Sequence, residues 1–406
     1  MSRSRRHPLR PAAAVACLLT GAFGAAACSS TAASRAATSS SITTVITAPL
    51  PSTVHSTTTV APTTTTDPSP NVAELAVAQQ FADRAQALMA DEEVHAIAVA
   101  VVRRDQVLGE FALGTSSADT PLTAESPFRM ASLSKVLTAI VVLQLAEEGV
   151  VDLDRPLAEQ WVDRFGVTDP RVRTITVRQL LQHTSGMPPL KETFFSERGN
   201  TWRQVGDIAL ATTLLTDPGA GYRYSNANYV LLGRLVEQLT GTTIDAAIAT
   251  RVLQPLGITV ARMNTDTHSF DPNGPKYVVG RARAYLEALG PAGDWEMSAG
   301  DMAKVLAALT PGGPVSLLRP ESIAAMLTPT LLPDDEDDWS YGLGMMVAPN
   351  WFGHTGTIED VRAIGLDTAN GYTVVLLTAT DEIPNGGELA TVFAAELAAL
   401  LALPPR

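Results

Sequence analysis

Cysteine is nearly missing from this chain of 406 residues, which holds two, Cys17 and Cys28. Both stand close to the N-terminus, so the long remainder has no disulfide, no thiolate nucleophile and no cysteine-ligated metal. Basic charge is short as well. The 29 Lys and Arg face 42 Asp and Glu for a formal charge of −13, which disfavours non-specific binding to nucleic acid or an anionic surface. The six histidines show no H-x-x-x-H or H-x-H spacing. The acidic run at 334–338 reads as a solvated loop rather than a cation site, so no metal and no cofactor are expected. Beyond the N-terminus there is no long apolar run, no internal repeat and no heptad. What is present is an apolar fraction of 46%, too much for a chain disordered throughout. The length suits one large or two coupled domains.

The N-terminus reads as an export signal. Arg3, Arg5, Arg6 and Arg10 precede a small and apolar stretch, 11–27, that ends at Cys28, the order of a signal peptide. Ala25-Ala26-Ala27-Cys28 resembles a bacterial lipobox, in which the cysteine is lipidated and becomes the first residue. Ser4-Arg5-Arg6 with Leu9-Arg10 also resembles a twin-arginine signal, although a plain basic segment explains it too. The expectation is a signal peptide over 1–27 and an exported protein anchored through lipid on Cys28 to the outer face of the cytoplasmic membrane. Residues 28–70 are dominated by Ser, Thr and Pro and read as a disordered tether, with little apolar surface to offset ordering entropy.

The folded body is expected over 71–406. Apolar residues at helical spacing predict a helix over 72–90, then a hairpin from runs 95–102 and 106–113. Further strands are predicted at 341–347, 362–367 and 372–377, and a helix over 387–403. Between these ends the patterns are mostly helical. The economical arrangement is an α+β fold: an antiparallel sheet built from both chain ends (71–133 and 331–406), covered by terminal helices, with a mainly helical part, 134–330, inserted between. A site would lie in the seam.

Three short segments carry chemistry. In Ser132-Leu133-Ser134-Lys135 a helix would put Ser132 and Lys135 on one face, where a desolvated amine can reach a hydroxyl. Alone, this spacing also describes a helix cap with a solvated lysine, but here an apolar helix, 136–145, follows it. In Tyr224-Ser225-Asn226 a phenol beside an ammonium can serve as base and an amide can orient a carbonyl; a core tyrosine with a capping asparagine is the plainer reading. In His354-Thr355-Gly356-Thr357 the glycine lets a substrate approach a strand edge, and the N–H groups of Thr357 and Ser132 could pair as an oxyanion hole.

In this order the three segments resemble the serine beta-lactamase-like superfamily of penicillin-binding proteins. They are most similar to the branch of class C beta-lactamases, D-alanyl-D-alanine carboxypeptidases and family VIII esterases, where the loop triad is Y-x-N and the last box is often H-T-G. Leu180-Leu181-Gln182-His183-Thr184-Ser185-Gly186, Pro218-Gly219 and Tyr341-Gly342-Leu343-Gly344 add to the likeness, which covers roughly 72–403. The resemblance implies a beta-lactamase/transpeptidase-like fold and an acyl-enzyme. It makes Ser132 the nucleophile, Lys135 its proton partner and Tyr224 the general base and relay. Asn226 would bind the substrate amide, His354, Thr355, Gly356 and Thr357 would line the substrate edge, and His183 would be structural. It implies a small-molecule or cell-wall peptide substrate, with composition leaving oligomeric state open.

Two departures bear on substrate. Glu359 and Asp360 follow the last box where relatives commonly place a glycine, and acids there would repel an anionic substrate unless Arg362 compensates. No Lys or Arg lies between Trp339 and His354, which favours an ester or neutral amide over a substrate with a terminal carboxylate. The leading expectation is an esterase or D-alanyl carboxypeptidase-like hydrolase; the alternatives are a beta-lactamase or a non-catalytic scaffold, the last disfavoured because Ser132, Lys135 and Tyr224 are all retained.

Overall fold

The computed structural model describes residues 69–90, 94–104, 106–116, 120–161, 166–195, 200–263, 286–310, 315–329, 339–358, 361–380 and 386–405. The expected signal segment, Cys28, nearly all of the tether, the acidic run 334–338 and the Glu359-Asp360 pair lie outside these residues. Among the described residues no helix is long and apolar enough to cross a membrane.

Asn71 opens the folded body. Its side chain accepts the Glu74 N–H at 3.0 Å while the Glu74 carboxylate accepts the Asn71 N–H at 2.7 Å, a reciprocal cap that starts α1 (Val72–Met89). The expected hairpin follows as β1 (Val94–Arg103) and β2 (Gln106–Gly114). The middle of the chain holds β3 (Phe128–Arg129), α2 (Ser134–Glu147), α3 (Trp202–Leu210), α4 (Asn226–Thr240), β4 (Arg262–Met263), β5 (Trp295–Met297) and α5 (Ala299–Ala307). Strands β6 (Ser340–Tyr341), β7 (Met346–Ala348), β8 (Trp351–Ile358), β9 (Val361–Thr368) and β10 (Tyr372–Thr380) come next, then α6 (Gly386–Val392) and α7 (Ala394–Leu401).

The main sheet has seven antiparallel strands in the order β2-β1-β10-β9-β8-β7-β6. Both chain ends therefore build it, with Val94 opposite Thr380 and Arg103 opposite Tyr372. Strand β1 is covered on both faces, and its alternation decides which side chains meet which layer. Ile97, Val99 and Val101 pack with Val77, Phe81 and Ala85 of α1 and Leu397 of α7. Ala96, Ala98 and Ala100 face the larger core that includes Leu133, Val136 and Met302, and their small size lets that layer approach closely.

A buried polar knot ties the ends together. Arg103 and Tyr372 both donate to Glu74 Oε1, at 2.7 and 2.8 Å, so α1, the end of β1 and the start of β10 share one carboxylate.

The structure departs from expectation in three places. The 341–347 run is two short strands, because the Gly342 N–H bonds the Met345 carbonyl at 2.7 Å and Gly344 takes φ +85. A Cβ on Gly344 would lie 2.5 Å from Ala139 Cβ, so this turn is pressed against α2. The C-terminal helix breaks at Phe393, whose ring stacks on Phe81 at 5.9 Å. Strand β8 and the small sheet β3-β5-β4 were not anticipated.

Candidate active site

Ser132 lies on a 3-10 turn, Ala131–Leu133, immediately before α2 rather than inside it. Strand β5 fixes the turn at both ends: the Met130 N–H donates to the Trp295 carbonyl at 2.7 Å, and the Trp295 N–H donates to Ser134 Oγ at 3.1 Å. Between these bonds Ala131 takes φ +47, a left-handed geometry that costs a residue with a Cβ about 1–2 kcal/mol.

Lys135, three residues after Ser132, is 0% exposed. Its Nζ lies 3.0 Å from Ser132 Oγ and donates to Asn226 Oδ1 at 2.8 Å and to the Ala292 carbonyl at 2.6 Å. Thr138, one turn further, donates to the neighbouring Pro291 carbonyl at 2.9 Å. One face of α2 thus reads two consecutive carbonyls of the turn Gly290–Ala292. The rings of Tyr224 and Tyr229 stand 5.0 and 5.5 Å from Nζ. Burial pushes the Lys135 amine well below the ordinary lysine range.

Tyr224 Oη donates to Ser132 Oγ at 2.8 Å. Burial pushes this phenol above its usual range, with the bond to Ser132 acting the other way. His183 holds the loop that carries it. The His183 Nδ1 accepts the Ser225 N–H at 3.2 Å and an Asn228 Nδ2 hydrogen at 2.9 Å, and the His183 carbonyl accepts the Arg223 N–H at 2.8 Å. Two donors onto Nδ1 assign the ring proton to Nε2. Its ring centroid is 4.2 Å from that of Tyr224. Burial first, then Lys135 and His354, push His183 well below the usual imidazole range, so a neutral ring supports the loop without touching Ser132.

The third segment arrives on β8. Strand β7 pairs with β8 only at residues 351–353, and further along β8 meets the Ser132 turn. A Cβ on Gly356 would lie 2.6 Å from the Met130 carbonyl oxygen, 2.9 Å from Ala131 Cβ and 3.1 Å from the Ser132 nitrogen, so only glycine fits without displacing the backbone. Thr357 is exposed, and its Oγ1 accepts the Gly386 N–H at 2.6 Å. His354 is 3% exposed. It accepts the Tyr341 hydroxyl on Nε2 at 2.9 Å and donates from Nδ1 to the Thr355 carbonyl at 2.5 Å. Burial, then Lys135, lower its pKa to about 3.

Ser132, Lys135, Tyr224 and Asn226 are thus joined by direct hydrogen bonds. Gly356 abuts their turn, and His354 stands to one side, linked to Tyr341. Sequence reasoning missed Tyr341, the Ala292 carbonyl and β5. The two glycines of Tyr341-Gly342-Leu343-Gly344 signalled a turn without marking the phenol, and a main-chain carbonyl has no side-chain signal. Among the described residues no His, Cys, Asp or Glu group is arranged to hold a metal ion.

The chain belongs to the beta-lactamase family, whose model matches residues 81–399, and so to a superfamily of serine hydrolases. It is similar to penicillin-binding protein 4 of Amycolatopsis lactamdurans, 34% identical over 176 residues that cover 43% of this chain and 42% of that protein. It is also similar to esterase EstB of Burkholderia gladioli, 32% identical over 193 residues covering 43% of this chain and 48% of the esterase. These matches span about half the length of the curated relatives. In fold it resembles the crystal structure of D-amino acid amidase from Ochrobactrum anthropi SV3 complexed with L-phenylalanine, with TM-score 0.66 and 22% identity over 79% of this chain and 98% of that one.

Proposed function

We infer that this protein is a serine hydrolase that cleaves an ester or amide through an acyl-enzyme on Ser132, of D-alanyl carboxypeptidase or esterase type, exported and anchored by lipid on Cys28. The observation that carries the chemistry is the pair of contacts on Ser132 Oγ, Lys135 Nζ at 3.0 Å and Tyr224 Oη at 2.8 Å.

Hydrogen bonding and desolvation together favour Lys135 as the base, in place of Tyr224, to which the family resemblance assigned that role. An ammonium could donate to all three neighbours, but Ser132 Oγ would then receive two hydrogens, and no acceptor for its own is found among the described residues. A neutral amine donates to Asn226 and Ala292 and turns its lone pair to the serine proton. Burying an ammonium costs several kcal/mol, against about 2 kcal/mol from a desolvated cation over an aromatic ring, so the amine prevails. In this reading Ser132 Oγ adds to the substrate carbonyl carbon as its proton passes to Lys135. The N–H groups of Ser132 and Thr357 are the proposed donors to the oxyanion. Tyr224, kept protonated by burial, gives its hydrogen to the leaving group, and the proton held by Lys135 replaces it. Asn226 orients Lys135 and offers its amide to the substrate; water or another acceptor then releases the acyl group.

The test is intact mass and turnover with a para-nitrophenyl ester and a fluorescent penicillin, comparing the wild type with Ser132→Ala. The expected result is a Ser132-dependent adduct and ester turnover. A folded wild-type protein with neither would refute the reading. A penicillin adduct that clears rapidly would instead favour beta-lactamase action. The anchoring is checked by incorporation of labelled palmitate, expected to disappear in Cys28→Ala.

A further inference from the structure

The segment Leu180-Leu181-Gln182-His183-Thr184-Ser185-Gly186 carries a buried hydrogen-bond chain that ends on both sides of Tyr224. Ser185 Oγ donates to Asn228 Oδ1 at 2.6 Å. That bond turns the amide nitrogen of Asn228 toward His183, 2.9 Å from Nδ1. An amide nitrogen only donates, so Nδ1 must accept, and it accepts the Ser225 N–H at 3.2 Å as well. The His183 carbonyl takes the Arg223 N–H at 2.8 Å. The residues before and after Tyr224 thus both donate to His183, whose ring centroid also lies 4.2 Å from that of the phenol. His183, Ser185 and Asn228 are buried. The backbone of His183 is left-handed, with φ +58, a conformation that histidine and asparagine enter more readily than most residues with a Cβ. The same segment is tied to the chain that leads into Tyr224, since the Thr184 carbonyl accepts the Gly219 N–H at 2.7 Å.

We propose that His183, through the acceptor at Nδ1, is a positioning residue that sets how well the protein cleaves substrates with basic leaving groups. This rests on the reading above, in which Tyr224 gives its hydrogen to the leaving group. When the bond from the carbonyl carbon to the leaving atom breaks, the electron pair stays on that atom. A para-nitrophenolate departs with it as a stable anion, whereas an alkoxide or an amide anion is too basic to leave without taking the Tyr224 hydrogen, which the proton on Lys135 then replaces. The Tyr224 hydroxyl stands at the far end of the side chain from the backbone that His183 holds. A small shift of that backbone therefore carries the hydrogen off its line to the leaving atom, and a misplacement of about 1 Å costs on the order of 10²-fold. Attack by Ser132, with its proton passing to Lys135, makes no such demand on Tyr224. The chain from Ser185 through Asn228 to His183 thus discriminates between activated and unactivated esters without contacting Ser132.

The test measures kcat/KM, which reports acylation, on the full chain with para-nitrophenyl butyrate and ethyl butyrate, two esters of one acid. Tyr224→Phe is expected to lose about 10²-fold more on the ethyl ester than on the nitrophenyl ester. His183→Leu fills the space but removes the acceptor, and is expected to show the same bias, at roughly tenfold or more. His183→Asn offers an acceptor oxygen close to where Nδ1 stands and suits a left-handed backbone, so it is expected to restore most of the wild-type ratio. Melting temperature reports folding. Should His183→Leu not fold, Ser185→Ala tests the same chain by freeing the Asn228 amide to turn, and the same bias is expected in smaller measure. Equal losses on the two esters in a folded variant overturn the proposal, as does a bias in His183→Asn as large as in His183→Leu. A Tyr224→Phe variant without the bias, or a wild type that cleaves only the nitrophenyl ester, overturns it too and leaves the acyl-enzyme standing. A folded wild type with neither a Ser132 adduct nor turnover of either ester overturns the acyl-enzyme reading and this proposal with it.

Discussion

Lys135 has its two best acceptors in Asn226 and the Ala292 carbonyl, so removing its nitrogen takes a donor from the half-buried Asn226 and the buried Ala292 carbonyl and leaves Ser132 without a base. Lys135→Met keeps the length of the side chain and is expected to lower acylation by about 10²–10⁴-fold, read as the burst of para-nitrophenol. Because burial lowers the amine pKa, the active neutral form accumulates as pH rises. kcat/KM is therefore expected to climb with pH along a limb that lies below the ordinary lysine range. Any fall caused by ionisation of Tyr224 should come above the ordinary phenol range, since burial raises that group; a pH–rate profile checks both limbs. Gly356→Ala drives a methyl to within 2.6 Å of the Met130 carbonyl oxygen. It is expected to cost about 10²-fold in kcat/KM by shifting β8 from the Ser132 turn, with circular dichroism unchanged. At this level the sequence is most informative where chemistry needs a particular side chain. Ser132, Lys135, Tyr224 and Asn226 could be picked out together, whereas the tautomer of His354 depends on Tyr341, a contact no spacing announces.

Among the strands, β9 carries the clearest titration. Asp367 accepts the hydroxyls of Thr310, just beyond α5, and Thr373, on β10, at 2.6 and 2.7 Å, and burial raises its pKa to about 7. An unfolded aspartate releases its proton near pH 4, so between that pH and about 7 the folded chain holds a proton that the unfolded chain has lost. Stability is then expected to fall as pH rises through this window. Asp367→Asn keeps an acceptor for both threonines and removes the titration, so melting temperatures measured from pH 4 to 8 should decline less steeply in the variant than in the wild type. The elements were legible in proportion to their periodicity. Strands β1 and β10 are largely apolar runs and stood out, and β9 was found from Ala363, Ile364 and Leu366 before the turn at 368–371. Strand β8 did not, because Gly353 and Gly356 interrupt its pattern, and strands of two or three residues such as β3, β4 and β5 are too short for any periodicity to register. The break between α6 and α7 was hidden by an unbroken supply of Ala and Leu; it follows from Phe393 stacking on Phe81, a contact between opposite ends of the chain.

Those ends are held together by the Glu74 carboxylate, and the consequence is global. Glu74→Gln takes the Glu74 carboxylate away from the buried Arg103 guanidinium, and breaking a buried pair from one side costs about 3–5 kcal/mol. The whole body is expected to lose stability by that order in urea denaturation, with the Ser132 site itself unaltered in kcat/KM at low temperature. The overall plan, a sheet from both termini around a helical insertion, was legible because strand-like runs cluster at the two ends of the body and helical ones between them.

That plan also sets the order in which the protein can be made. Strand β1 has β2 on one edge and β10 on the other, and the second partner lies some 270 residues further along, the last strand among the described residues. A growing chain presents an almost wholly apolar strand with one open edge until its C-terminal portion exists, while α2 to α5 can form from local contacts. High contact order of this kind slows folding and exposes the edge to wrong partners. Emergence of β10 is thus a condition for closure, and a nascent chain that stalls before it is a target for chaperones or proteases.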